Sequence, residues 1–184
     1  MDEPTHIDEL RREVRELRDR QAILDCIVRE ARGRDRHDSA LIAGAFWPDG
    51  SDEHGSSVTP ASEYADWANA GHAAFFSATS HNLTNHSCEL VGDAAYCETY
   101  VIGGLLSKDG KRCQLVPSRY IDQLERRDGE WRILTRRTVI DMAAEGDASW
   151  LESRALRGML KGLWNQDDPS YQRPVVAGSP AERW

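Results

Sequence analysis

Apolar positions in the first part of the chain recur every three to four residues. Ile7, Leu10, Val14, Leu17, Leu24 and Val28 form one stripe, with Gln21 as the polar exception. This spacing predicts one long helix. Thr5 is its expected cap, and Asp8 places negative charge in the first turn. The other faces of ELRREVRELRDRQ are charged. The stripe therefore reads either as a core face or as one that also meets a partner helix, and the first half of the helix as a segment that projects from the domain. Gly33 interrupts the run. A second helix is expected from Asp38 through SALIAGAFW, stopped by Pro48 and Asp49-Gly50. SDEHGSS offers a short strand. A third helix is expected with Thr59 as cap and Pro60 in its first turn, running past Tyr64 and Trp67 to Phe75-Phe76.

The period then changes to two. From Leu83 to Asp141 the chain reads as antiparallel strands joined by tight turns at Gly92-Asp93, Asp109-Gly110 and Asp128-Gly129. Pro117 inside the third of these strands predicts a bulge or bend. After Asp141, EGDASWLESRALRGMLKGLW reads as another helix, and NQDDPSYQRPVVAGSPAERW as an extended tail. Helices first and a curved antiparallel sheet second make an α+β fold. A bent sheet with helices across its concave face forms a cone that can hold a small molecule.

Composition narrows the partners. The length of 184 residues suits one domain with a tail. With 31 acidic against 23 basic residues the net charge is −8, which disfavours nucleic acid. No apolar run reaches membrane-spanning length, and MDEPTHIDELRRE is too charged for a signal peptide, so a cytoplasmic location is expected. Cys26, Cys88, Cys97 and Cys113 contain no CxxC pair and read as buried thiols, although Cys88 and Cys97 fall on neighbouring strands.

Three stretches carry a resemblance: RGRDRHDSALIAGAFWPDGSDEHG, TSHNLTNHSCELVGDAAYCETYV and SRYIDQLERRDGEWRILTRRTVID. In this order they resemble SnoaL-like proteins of the NTF2-like superfamily, the group that includes scytalone dehydratase, ketosteroid isomerase and the dehydrochlorinase of lindane breakdown. The resemblance implies an NTF2-like cone over residues 1–145, with residues 146–184 as an added helix and tail. It implies a cone-shaped pocket, no metal or organic cofactor, and oligomers (a dimer or trimer) formed through the outer face of the sheet. It also implies a catalytic pair, Asp35 orienting His81. The chain departs from these relatives at Glu30, where the dehydrochlorinase carries a lysine, and in lacking a second histidine between Cys97 and Tyr100.

An Asp–His pair suits proton transfer. A neutral imidazole accepts a proton near neutrality, and a carboxylate on its far nitrogen fixes the tautomer. Taken alone, His81 could equally cap a helix end, and Asp35 could be a solvated turn residue. His54, Tyr64, Trp67, Asn85, Tyr100 and Tyr120 are the candidate substrate contacts, each with a packing role as its alternative. Strict alternation places His86 opposite His81 and Asn85 on His81's side; His37 and His72 read as exposed helix residues. Arg119 with Asp141, and Arg137 with Asp122, read as cross-strand ion pairs. No metal is expected: there is no HExxH helix, and His81 and His86 fall on opposite faces. Two functions fit: a cofactor-independent dehydratase, lyase or double-bond isomerase acting on a small apolar carbonyl or hydroxy compound, or a non-catalytic binding or assembly subunit.

Overall fold

The computed structural model describes residues 5–184. Helix α1 (His6–Arg36) is capped by Thr5, whose side chain accepts from the Asp8 amide. It is followed by α2 (Ser39–Ala43), capped by Asp38. Strands β1 (Phe46–His54) and β2 (Ser57–Pro60) precede α3 (Ala61–Phe75). A meander follows: β3 (Phe76–Val91), β4 (Ala94–Ser107), β5 (Arg112–Arg127) and β6 (Glu130–Ile140). A short β7 (Ala144–Asp147) pairs with the start of β5. The main sheet runs β2-β1-β6-β5-β4-β3, and α1 and α3 pack on its inner face. This is the α+β cone the pattern predicts. No helix among the described residues is long and apolar enough to cross a membrane.

All three hairpin turns stand where the sequence places them. Asp128 and Gly129 both have positive φ, 52° and 82°, as a two-residue hairpin turn demands. The sheet is nevertheless mixed, because β1 joins β6 in parallel. The antiparallel meander also begins earlier than expected, at Phe76. The second helix stops at Ala43, and Phe46–Gly50 already belongs to β1. Thr59 lies in β2, and α3 starts without a side-chain cap. Gly33 does not break α1. It is buried there, and a Cβ would meet Ile42 Cγ1 at 2.8 Å, so it serves the close approach of α2.

Pro117 carries no bulge. It sits where β5 exchanges its neighbour, β7 along Arg112–Leu115 and β6 from Ser118 onward, so its missing N–H falls in the gap between partners. The irregularities lie elsewhere: between Phe76 and Ala78 and between Leu83 and His86 in β3, between Phe46 and Ser51 in β1, and at Leu134 of β6, the extra residue opposite Gln123–Leu124.

The expected C-terminal helix is absent. After β7 the chain makes a 3-10 turn at Ser149–Glu152 and then runs without regular structure, apart from another at Pro169–Tyr171. Polar side chains tie this segment to the α1–α2 junction. Tyr171 donates to Asp38 at 2.7 Å, Arg36 pairs with Asp168 at 3.2 Å, and Trp164 stacks on His37 at 3.8 Å.

Beneath the helices lies a buried ionic cluster. Arg136 on β6 donates to both oxygens of Asp122 on β5 and to Glu30 of α1, and all three are fully buried or nearly so. The ring of Tyr120 lies 3.9 Å from the Arg136 guanidinium carbon. The cross-strand partner of Asp122 is thus Arg136; Arg137 points outward to Glu53. Arg119 does pair with Asp141, at 2.8 Å. The cluster also accounts for Glu30, whose carboxylate serves a buried arginine.

Candidate active site

Asp35 occupies the last turn of α1 and His81 an inward position near the start of β3. The two elements cross so that His81 Nδ1 lies 2.6 Å from Asp35 Oδ1. The His81 amide donates to Asp35 Oδ2 at 2.8 Å, and the Thr79 hydroxyl donates to Oδ1 at 3.3 Å. Three donors thus hold one carboxylate. An ionised carboxylate only accepts, so its partner nitrogen carries the proton and Nε2 is left with its lone pair. Among the described residues no protein group bonds Nε2.

His81 forms part of the wall of a cavity of about 270 Å³ between α3 and the inner face of the sheet. Its apolar lining comes from Phe75, Phe76, Val101, Leu105, Val116 and Ile140. The polar groups are Arg34, His54, His72, His81 and Tyr120, with Ser118 and Thr138 on the strands. Gly103 faces His81 across the β3–β4 ladder and leaves room there.

Arg34 lies between these polar groups. Its guanidinium donates to His72 Nε2 at 3.2 Å and to the Tyr120 hydroxyl at 3.3 Å, and its Nε lies 4.0 Å from Glu30. A guanidinium stays charged, so the histidines around it are disfavoured as cations. Burial, and then Arg34, lower the pKa of His81, while Asp35 opposes them. The same two causes bring His72 down to about 2 and His54 to about 4. Burial pushes Tyr120 up to about 12 and Asp52 up to about 7. The cavity therefore holds three neutral imidazoles and one fixed cation.

The candidate contacts divide. His54 and Tyr120 line the cavity. Tyr64 is buried one layer away against Phe46 and Trp67, so it packs the core. Trp67 lies half-exposed on α3. Tyr100 is on the outer face of the sheet near Arg119. Asn85 projects to solvent because Thr84 and Asn85 form a bulge, which shifts the parity of the strand. The same bulge brings His86 to the inner face with His81, contrary to strict alternation, where it bonds Thr99 at 2.8 Å.

Two further histidines are placed otherwise than the helix pattern expects. His72 is inside the cavity, its ring 5.7 Å from that of His81. His37 ends α1 in the left-handed region and lies under Trp164. Arg34 and His72 escaped the sequence reading; the spacing of Arg34 from Ile23, Ile27 and Glu30 on one helical face was the available signal. Among the described residues, the group that could hold a soft cation is His86 with Cys88 and Cys97, whose donor atoms lie within 4.8 Å of one another, away from the Asp35–His81 pair. All four cysteines are free thiols.

The sequence profile of the SnoaL-like domain matches residues 15–137. The chain belongs to the SnoaL-like family. Solved structures similar to this SnoaL-like chain include a hexachlorocyclohexane dehydrochlorinase, LinA type 2, at 23% identity and a TM-score of 0.68, covering 73% of this chain and 93% of that one. A Novosphingobium aromaticivorans protein named after scytalone dehydratase is 20% identical with a TM-score of 0.64, over 70% and 88%. A Mycobacterium tuberculosis protein of unknown function is 26% identical with a TM-score of 0.60, over 74% and 76%. No curated protein sequence matches the chain. At these identities the structures show a shared fold, and this SnoaL-like chain has dehydratase-type and dehydrochlorinase neighbours within it.

Proposed function

We propose that the chain is a cofactor-independent acid–base enzyme acting on a small apolar carbonyl or hydroxy compound. It works as a dehydratase or related lyase, or by moving a double bond. The observation that carries this reading is the 2.6 Å Asp35–His81 pair at the wall of a largely apolar cavity.

In the elimination, His81 Nε2 takes the proton from the carbon next to the substrate carbonyl. The electron pair of that C–H bond becomes the new double bond, and the bond from the β carbon to its hydroxyl breaks. The imidazolium, steadied by Asp35, then returns the proton to the departing oxygen, which leaves as water. The Tyr120 hydroxyl accepts from Arg34, which leaves its own proton free for a substrate oxygen. For isomerisation the same proton returns to a different carbon. A base, a donor and a dry wall suffice for either path.

The test is a panel of β-hydroxy-ketones and unsaturated ketones followed by ultraviolet absorbance. Wild-type chain is expected to turn over a member of the panel. His81→Ala is expected to lose about 10²–10⁴-fold in rate, the usual contribution of a positioned base. Asp35→Asn is expected to lose turnover with the fold intact by circular dichroism. Full activity in both variants sinks the assigned pair. Saturable binding of panel members with no turnover turns the reading to a non-catalytic binding subunit.

A further inference from the structure

We infer that α1 pairs with α1 of a second copy of this chain as a parallel, in-register, two-stranded coiled coil beginning at Ile7. This surface is separate from the cavity, and the inference stands whether or not the chain is an enzyme.

The apolar stripe of α1 repeats every seven residues. Ile7, Val14, Gln21 and Val28 hold the first position of the repeat, and Leu10, Leu17 and Leu24 the fourth. This stripe is not the face that packs on the domain. The buried positions of α1 are others, Ile23, Cys26, Ile27 and Glu30 among them. Except for half-buried Leu24, the apolar stripe is left in water: Ile7 is 60% exposed, Leu10 46%, Val14 51%, Leu17 66% and Val28 45%. The first side-chain bonds from α1 to the rest of the domain come from Asp19, to Arg126 and Trp131, and from Arg20, to the Cys88 carbonyl. Before them, the hydrogen bonds and ion pairs of α1 stay within the helix and its cap. A projecting arm of this length is only marginally helical in water unless something covers its apolar face. The SnoaL-like match begins at residue 15, so Ile7, Leu10 and Val14 lie outside the matched residues.

The flanking charges and the stripe itself select the partner and its direction. Glu13 occupies the seventh position of the repeat and Arg18 the fifth of the next. In a parallel pair Glu13 therefore faces Arg18 of the second copy, twice by symmetry. An antiparallel pair centred on the stripe sets Arg18 against Arg18 of the other copy but also Arg11 against Asp25, so the direction rests on the stripe itself. β-branched residues at the first position with leucine at the fourth favour two parallel strands. Gln21, the polar residue in the third layer, penalises registers that bury it against leucine.

Sedimentation equilibrium of the full chain at micromolar loading tests this. The wild type is expected at twice the 20.7 kDa chain mass. Leu10→Glu/Leu17→Glu is expected at one chain mass, with the β-sheet circular dichroism retained. Glu13→Arg is expected to shift the equilibrium toward single chains, and Glu13→Arg/Arg18→Glu to shift it back. Leu10→Cys is expected to cross-link to itself on mild oxidation, where the wild type does not. A wild type of one chain mass, a trimer, or a dimer unmoved by the double glutamate variant would overturn the inference. So would a dimeric Leu10→Cys chain that fails to cross-link.

Discussion

The Arg34 guanidinium donates to His72 Nε2 across 3.2 Å, and the His72 ring stacks 5.7 Å from His81. A permanent positive charge therefore stands two side chains from the proposed base. Its field favours neutral imidazole throughout the cavity, and this sets the pH behaviour of the site.

The acidic limb of kcat/KM is expected below pH 6.5. His81 is lowered from its ordinary value, so it keeps its lone pair as pH falls through that value and loses it only at lower pH. Arg34→Gln removes a cause of the lowering, so the limb should move to higher pH; Arg34→Lys keeps the charge and should leave it near the wild-type position. Asp35→Asn removes the group that raises His81, so any residual activity should show a limb at still lower pH. A limb unmoved by Arg34→Gln would mean that burial alone tunes the base.

Filling the cavity should block it without unfolding the chain. A Cβ at Gly103 meets nothing closer than 3.6 Å, so an added side chain is tolerated by the backbone around it. The side chain of Gly103→Leu would extend into the space before His81. Turnover and ligand binding are expected to be lost, while the thermal midpoint stays within a few degrees of wild type; Gly103→Ala should behave close to wild type.

The ionic cluster should be sensitive to loss of one member. Removing Glu30 leaves Arg136 and Arg34 short of a carboxylate in a fully buried position. Glu30→Ala is expected to cost about 3–5 kcal/mol in urea unfolding, the usual penalty for breaking a buried pair. A loss below about 1 kcal/mol, typical of exposed pairs, would show that water reaches the cluster.

We propose that residues 146–184 form an appended segment whose first two residues complete β7 and whose remainder lies outside the cone. A chain ending at Asp147 keeps every strand of the sheet and is expected to retain its far-ultraviolet spectrum. It loses the contacts of Trp164, Asp168 and Tyr171 with the α1–α2 junction, so its thermal midpoint should fall by several degrees. Cold, cooperative unfolding of the truncated chain would show that the segment belongs to the folding unit.

Much of this was legible in the residues. Thr5 and Asp38 announced two helix starts, and Asp109-Gly110 and Asp128-Gly129 two hairpins, because caps and tight turns are local chemistry. Asp35 and His81 could be named only through the family's motifs, since nothing local says that two residues so far apart will meet. The missed features share a cause. The bulge at Thr84-Asn85 reversed Asn85 and His86, and a bulge leaves no mark on a strand already rich in polar residues. His72 lies among alanines on a helix that reads as exposed, and only packing turned it inward. The final segment has helix-forming residues but little to bury, so ion pairs and stacking fixed it in an irregular path instead.

The parallel seam between β1 and β6 bears on how the protein is made. Asp52 finds its ladder partner in Arg136, 84 residues further along the chain. Contacts between remote segments close slowly and last. On the ribosome, the N-terminal helices and first strand must wait until the final hairpin has emerged before the barrel-like hollow can be shut. Until then the half-built hollow is greasy and open, and a helper that shields nascent chains would have most to protect during that interval.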